Sequence, residues 1–232
     1  MPRKRNNSPG DVASRNFEEA AAFLNAHPMF SPLISRANIV REPHSACPAD
    51  GWVVVTSLGH LHIHPTRRAD AAEWVYVLAH SLLHLGLGHF RPGRRDLEWN
   101  TACDLFIARF LGDLKLGRAP EELCDIELPG GTEESLYELF CAEGVPKHLH
   151  NPGTAGPRHL DMLDTGRMQL GVEDWQACFA CGLTQAVTSA VNVAAGRETH
   201  LGSYSQVLTP AQRARGWFIS KLSAPRCSRG RL

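Results

Sequence analysis

Apolar residues recur along this chain in short runs cut by Gly, Pro and polar clusters, and the spacing within each run predicts a mostly helical protein with one β-hairpin. Phe17, Ala20, Ala21 and Leu24 fall at helical intervals, and the segment ends near His27-Pro28. The next apolar stretch, Phe30 to Val40, is broken by Pro32 and fits neither period. Gly51-Trp-Val-Val-Val-Thr56 is β-branched, and Gly59-His-Leu-His-Ile-His64 alternates with period two. Joined through Ser57-Leu58-Gly59 and closed by Pro65, they predict a hairpin.

A helix follows from about Asp70 to Leu85, with Gly86 and Gly88 as its stop. After the turn Arg91-Pro-Gly-Arg-Arg95, Asp96 reads as the N-cap of a helix reaching about Leu114. Its apolar face is Trp99, Ala102, Cys103, Phe106, Ile107, Phe110 and Leu111. A short helix, Glu133 to Cys141, follows the Pro129-Gly-Gly turn. Residues 143–172 are rich in Gly, Pro and His and read as a linker. Trp175 to Ala195 reads as helical, and Pro210 to Leu222 as one more helix. The expected organisation is a disordered basic tail (1–16), an α+β domain (17–142), a linker (143–172) and a helical C-terminal segment (173–232).

Composition narrows the function class. Lys plus Arg and Asp plus Glu each number 24, so no net charge draws the chain to nucleic acid or to anionic membrane. The basic clusters Pro2-Arg-Lys-Arg5 and Arg226-Cys-Ser-Arg-Gly-Arg231 sit at the ends, where solvated tails are common. No apolar run approaches the roughly 18 residues of a membrane span, and no apolar segment follows the charged start as in a secretory signal. Seven cysteines without regular spacing do not form a disulfide framework. A reduced, cytoplasmic protein is expected.

The candidate chemistry lies in the helix at 70–85. At about 100° per residue, Glu73, Val77, His80 and His84 share one stripe. Two histidines four residues apart on a helix can grip a zinc ion. In the H-E-x-x-H motif of zinc peptidases the residue after the first histidine is the general base; here that position is Ser81. His89 is half a turn out of phase and beyond two glycines, and the extended H-E-x-x-H-x-x-G-x-x-H signature would need histidine at Phe90. Asp104, within the apolar run Ala102-Cys-Asp-Leu-Phe-Ile-Ala108, is the better third ligand, because a buried carboxylate needs a partner. Such a set leaves a fourth position for water. The alternative is an Asp104 that faces solvent or pairs with Arg95 or Arg109.

Several of these segments together resemble a known family. They are His27-Pro-Met-Phe30, Asp50-Gly51 opening a hairpin that ends at His64-Pro65, and Val77-Leu-Ala-His-Ser-Leu-Leu-His-Leu-Gly-Leu-Gly-His89. Trp99-Asn-Thr-Ala-Cys-Asp104 and Leu128-Pro-Gly-Gly-Thr-Glu-Glu-Ser-Leu-Tyr137 complete the set. This order, over about residues 17–142, resembles the metallopeptidase domain found beside VWA-like domains. The resemblance implies an α+β zincin-like fold in which a small sheet packs on the metal-binding helix. It further implies zinc at His80, His84 and Asp104, and a partner that is a MoxR-type AAA ATPase or a VWA-domain protein. Two departures matter: Ser81 replaces the glutamate, and after residue 170 there is neither an Asp-x-Ser-x-Ser motif nor room for a full VWA-like half.

Losing a general base costs about 10²–10⁴-fold in rate, and Glu73 lies two helical turns away, about 10 Å along the axis. The expected function is therefore a zinc-binding, metallopeptidase-like protein that is weakly active or inactive and acts by recognition or scaffolding. The alternatives are an active hydrolase of peptides or proteins using another base, and a metal-free interaction module. Elsewhere, Cys178-Phe-Ala-Cys181 has redox or zinc-knuckle spacing, but two cysteines on an apolar helix are more often core. Cys103 also reads as core. His60, His62 and His64 share a strand face and read as a solvated edge, with a surface metal patch as the alternative. An edge strand here would be the place to seek a bound peptide. His148, His150 and His159 fall in the linker with no assigned role.

Overall fold

The computed structural model describes residues 9–123, 129–149, 153–165 and 171–194. It is a mixed α/β structure, mostly helical. The elements, in chain order, are α1 (Pro9–Ala26), α2 (Ser31–Ile34), β1 (Asn38–Val40), β2 (Val53–Thr56), β3 (His60–Ile63), α3 (Ala71–Gly86), α4 (Asp96–Leu114), α5 (Glu133–Glu143), β4 (Met162–Leu163) and α6 (Val172–Ala194).

Helix α3 is the axis of the fold. Asp70 starts it with a capping box: its side chain accepts from Glu73 N at 2.8 Å, and Glu73 Oε2 accepts from Asp70 N at 3.1 Å. From Trp74 to Gly86 every residue is buried, the pattern of a helix enclosed on all sides. Phe17 of α1 meets the Trp74 ring edge-on at 5.3 Å, and Trp52, just ahead of β2, meets it at 5.4 Å. Helices α4 and α6 pack along the rest of α3. Helix α6 lies so close to the chain at Met29 that a Cβ on Gly182 would strike the Met29 carbonyl, so glycine is required there.

The sheet has the order β1-β3-β2-β4. Strands β2 and β3 form the expected antiparallel hairpin, with Val54 opposite His62 and Gly59 turning at φ +79°. Strand β1 pairs parallel with β3, and β4 parallel with β2. Both hairpin strands are therefore interior, and the expected edge is instead formed by β1 and β4. The histidine face of β3 is half-buried, and His62 together with His64, just past the strand, holds the preceding loop: His62 Nδ1 accepts from Ala46 N at 3.4 Å, and the His64 Nε2 lies 3.0 Å from the Ala49 carbonyl.

Other differences from the sequence reading have local causes. Helix α1 starts at Pro9, ahead of Phe17; proline suits a first helical turn, and the polar residues that follow carry no apolar period to reveal it. The ambiguous stretch after Phe30 divides into α2 and β1, with Pro32 in the first turn of α2. Arg95, rather than Asp96, is the N-cap of α4, without a side-chain cap bond; Asp96 supplies a carboxylate to the first turn. The segment expected to be a linker contains β4 and buries Thr154, Ala155 and Asp161. Among the described residues no helix is long and apolar enough to cross a membrane. The helix expected at 210–222 and both basic ends lie outside the described residues.

Candidate metal centre

His80 and His84 stand one turn apart on α3, their rings 5.1 Å apart and both fully buried. Across from them α4 supplies Asp104, whose Oδ1 lies 3.4 Å from His80 Nε2 and 3.1 Å from His84 Nε2. A fourth group comes from the supposed linker: Asp161 Oδ2 lies 3.3 Å from His80 Nε2. One ligating atom from each of the four residues falls within 4.8 Å of every other. Among the described residues this is the one such cluster of His, Cys, Asp or Glu side chains.

Each carboxylate is aimed by its surroundings. Asn100, one turn before Asp104, donates to Asp104 Oδ2 at 2.5 Å, and its own Oδ1 accepts from Met162 N at 3.2 Å, which ties α4 to β4. Asp161 accepts from Thr154 N (2.6 Å), Thr154 Oγ1 (2.8 Å) and Ala155 N (2.7 Å), so its own loop wraps back to hold it. Gly153 closes the roof; a Cβ there would press on both the Asp161 and Asp104 carboxylates.

The electrostatics call for a cation. Burial and the neighbouring Asp104 charge push the Asp161 carboxyl above the usual carboxylate range. Burial pushes Asp104 the same way, but His80 and His84 outweigh it and hold that carboxyl below its ordinary value. Two buried carboxylates side by side repel each other unless a positive charge lies between them. His84 Nε2 points into the cluster, buried and 3.1 Å from Asp104 Oδ1. Two imidazoles and two carboxylates converging on one buried point are the donor set of a divalent metal. The residues fit that group.

Around this set the remaining candidates take other parts. The Ser81 hydroxyl donates to the Val77 carbonyl of its own helix at 3.1 Å and is buried, so it offers no base. Glu73 is occupied at the helix start and by Arg118 at 3.2 Å. The salt-bridge alternatives for Asp104 do not occur: Arg109 donates to the carbonyls of Pro129 and Gly131, and Arg95 lies beside Glu98. His89 is not in the cluster but adjoins it, its Nδ1 3.2 Å from His84 Nδ1 and its Nε2 3.8 Å from Glu133 Oε1. Cys103 packs in the core, where burial raises its thiol well above the ordinary value. Cys178 is buried and Cys181 exposed, and both are free thiols. The His159 side chain lies 3.8 Å from Asp50 on the surface, away from the cluster.

The sequence reading thus named three of the four clustered residues, His80, His84 and Asp104. It missed Asp161, which sits in a segment without apolar period; the Asp161-Met-Leu stretch, two apolar residues behind an acid, was the one available signal. No family model matches the chain, and no curated protein or solved structure matches it either.

Proposed function

We propose that this protein is a zinc-binding, metallopeptidase-like protein whose metal centre is closed and non-catalytic, and that it works by recognition or scaffolding. The observation that carries this reading is the fourth ligand. Structural zinc sites are four-coordinate and filled by protein groups, whereas hydrolytic sites keep a position for water. Here Asp161 stands where that water would be sought, and His80, His84, Asp104 and Asp161 are all nearly inaccessible. Zinc in an open site would lower the pKa of a bound water and polarise a carbonyl. This chain's residues would do the opposite service: Asp161 would fill the position, Ser81 turns its hydroxyl to the helix backbone, and Gly153 lets the chain pass close over the two carboxylates.

The metal would then fasten the 153–163 segment, with β4, to α3 and α4. Asn100 links that junction to a cavity of about 290 Å³ bordered by Trp99, Met162 and Leu163. Recognition of a peptide or protein partner would use this face. The resemblance to metallopeptidase domains that accompany VWA-like proteins makes a MoxR-type AAA ATPase or a VWA-domain protein the first partner to try.

Elemental analysis of protein purified without a metal-affinity tag tests the reading, alongside the His80→Ala/His84→Ala double variant. About one zinc per chain, absent from the double variant, supports it. No metal in the wild-type protein even after incubation with zinc overturns it, and leaves the metal-free interaction module. Chelator-sensitive hydrolysis of unfolded peptides by the wild-type protein would overturn the non-catalytic part alone.

A further inference from the structure

We infer that Asn100 is a positioning residue that couples the metal cluster to the neighbouring cavity: it straps Asp104 of α4 to β4, so that occupancy of the cluster sets the spacing of the cavity's two walls. The coupling rests on the metal reading and gives it a route to the recognition face.

Asn100 lies one helical turn before Asp104, so the two side chains stand on the same face of α4. Its amide is buried and makes one bond at each end. Nδ2 donates to Asp104 Oδ2 at 2.5 Å, and Oδ1 accepts from Met162 N at 3.2 Å. The two partners are chemically opposite, since an ionised carboxylate can only accept and a backbone N–H can only donate. The bridging side chain must therefore donate at one end and accept at the other, over the length of a single amide. Aspartate would set a third carboxylate against the first, and an apolar side chain would leave both groups unmet.

The sheet offers the Met162 amide no alternative. Strand β4 pairs parallel with β2, and Val55 N and Ser57 N donate to the carbonyls of Asp161 and Leu163. Residues 161 and 163 thus turn their backbone groups to β2, and the Met162 N–H between them turns the other way, at the edge of the sheet. Two residues are too few to fix a strand by themselves. The place of β4 depends on β2 on one side and on Asn100 on the other.

This strap meets the cluster at both ends. Asp104 takes the Asn100 bond on one oxygen and turns the other, Oδ1, to His80 and His84. Met162 follows directly on Asp161, whose Oδ2 lies 3.3 Å from His80 Nε2. Two buried carboxylates repel unless a positive charge lies between them. In the metal-free protein Asn100 resists that repulsion, and a bound cation would reverse it and draw α4 and the 153–163 segment together.

The cavity of about 290 Å³ is built on the same joint. Trp99 and Asn100 line it from α4, and Met162 and Leu163 line it from β4. A change in the spacing of Asp104 and Asp161 is therefore carried through Asn100 into the separation of these walls.

The experiment is NMR of the full chain with and without zinc, as wild type, Asn100→Ala and Ser57→Ala. Alanine at position 100 removes both bonds without adding bulk. Ser57 is the control: its hydroxyl accepts from Thr165 N at 3.0 Å, past the other end of β4, so its loss loosens the same strand without touching Asp104. In wild type, zinc should slow exchange of the Met162 amide by about tenfold or more and shift the Leu163 methyl signals. Ser57→Ala should keep both responses and bind zinc within about twofold of wild type, as a site independent of the strap. Asn100→Ala should lose both responses, and its zinc affinity should fall by about 10–100-fold. An Asn100→Ala variant that loses no more affinity than Ser57→Ala, or that keeps the Leu163 response, overturns the coupling. So does a wild-type protein that binds zinc with Met162 exchange and the Leu163 methyls unchanged, which decides the question even if Asn100→Ala fails to fold. A wild-type protein that binds no zinc defeats the metal reading itself, which keeps the two failures apart.

Discussion

Asp161 Oδ2 lies 3.3 Å from His80 Nε2, so a residue from a Gly- and Pro-rich connection completes a cluster begun on the most buried helix. Three hydrogen bonds from Thr154 and Ala155 hold that carboxylate, so the loop presents it ready-made. Replacing Asp161 by Asn keeps the volume and removes the charge. Zinc affinity should fall by more than the roughly 10–100-fold typical of residues that only support a ligand. A competition titration with a chromophoric chelator measures it, and a fall of under tenfold would show that Asp161 is not a ligand.

How much of this was legible in sequence follows the physics of each element. His80 and His84 were readable because helical period places i and i+4 on one face, and Asp104 because an acid in the apolar run at 102–108 must find a partner. The hairpin was readable from β-branched alternation, though not its neighbours: β1 and β4 are three and two residues long and depend on pairing with β3 and β2 rather than on their own pattern. Asp161 left only the faint signal of an acid ahead of two apolar residues, and the His89–Glu133 pair left none, because long-range contacts leave no local period. Phase excluded His89 as a direct ligand, and the structure puts it one ring away from the cluster instead.

Metal removal should lower thermal stability. A ligand present at a hundredfold over its dissociation constant stabilises the native state by about 2.7 kcal/mol. For a chain of this length each kcal/mol moves the melting temperature by about 2–4 °C. Scanning calorimetry with saturating zinc and with chelator should therefore differ by about 5–10 °C, and the difference should vanish in His80→Ala/His84→Ala.

Gly153→Ala tests how tightly the cluster is roofed. The added methyl would fall 2.6 Å from Asp104 Oδ2 and press on Asp161 as well. Overpacking of this kind costs about 1–3 kcal/mol, and here it also displaces two ligands. Urea unfolding of the chelated protein should show that loss, and zinc titration should show weaker binding. Unchanged behaviour in both would mean that the 153–161 loop sits further from α4.

His27 gives the fold an acid-sensitive point away from the metal centre. It is buried, burial lowers its pKa from the ordinary 6.5 to about 4, and its Nδ1 accepts from Met29 N at 3.3 Å. A folded-state value below the unfolded one means that the unfolded chain binds the extra proton first. The stability this neutral ring contributes is thus fully present above pH 6.5 and is lost as pH falls from there toward about 4. At about 1.4 kcal/mol for each pH unit, the loss is roughly 3 kcal/mol. Urea unfolding at pH 7 and pH 4.5 in chelator should show most of this fall in wild type and a smaller one in His27→Gln. Equal falls would place the acid sensitivity elsewhere.

Restoring a glutamate at position 81 separates a missing base from a closed site. Were the base the sole defect, Ser81→Glu would bring back chelator-sensitive hydrolysis of unfolded peptides, since a general base contributes about 10²–10⁴-fold. The geometry predicts otherwise. In the proposed closed site Asp161 would take the position that water needs, and Ser81 is 1% exposed with its hydroxyl on the Val77 carbonyl. A glutamate there must either distort α3 or bury a further negative charge beside Asp104 and Asp161, which is unfavourable. Ser81→Glu should therefore be inactive and less stable than wild type by urea unfolding. Hydrolysis at a rate abolished by chelator would show that the fourth position is open and that Asp161 does not fill it.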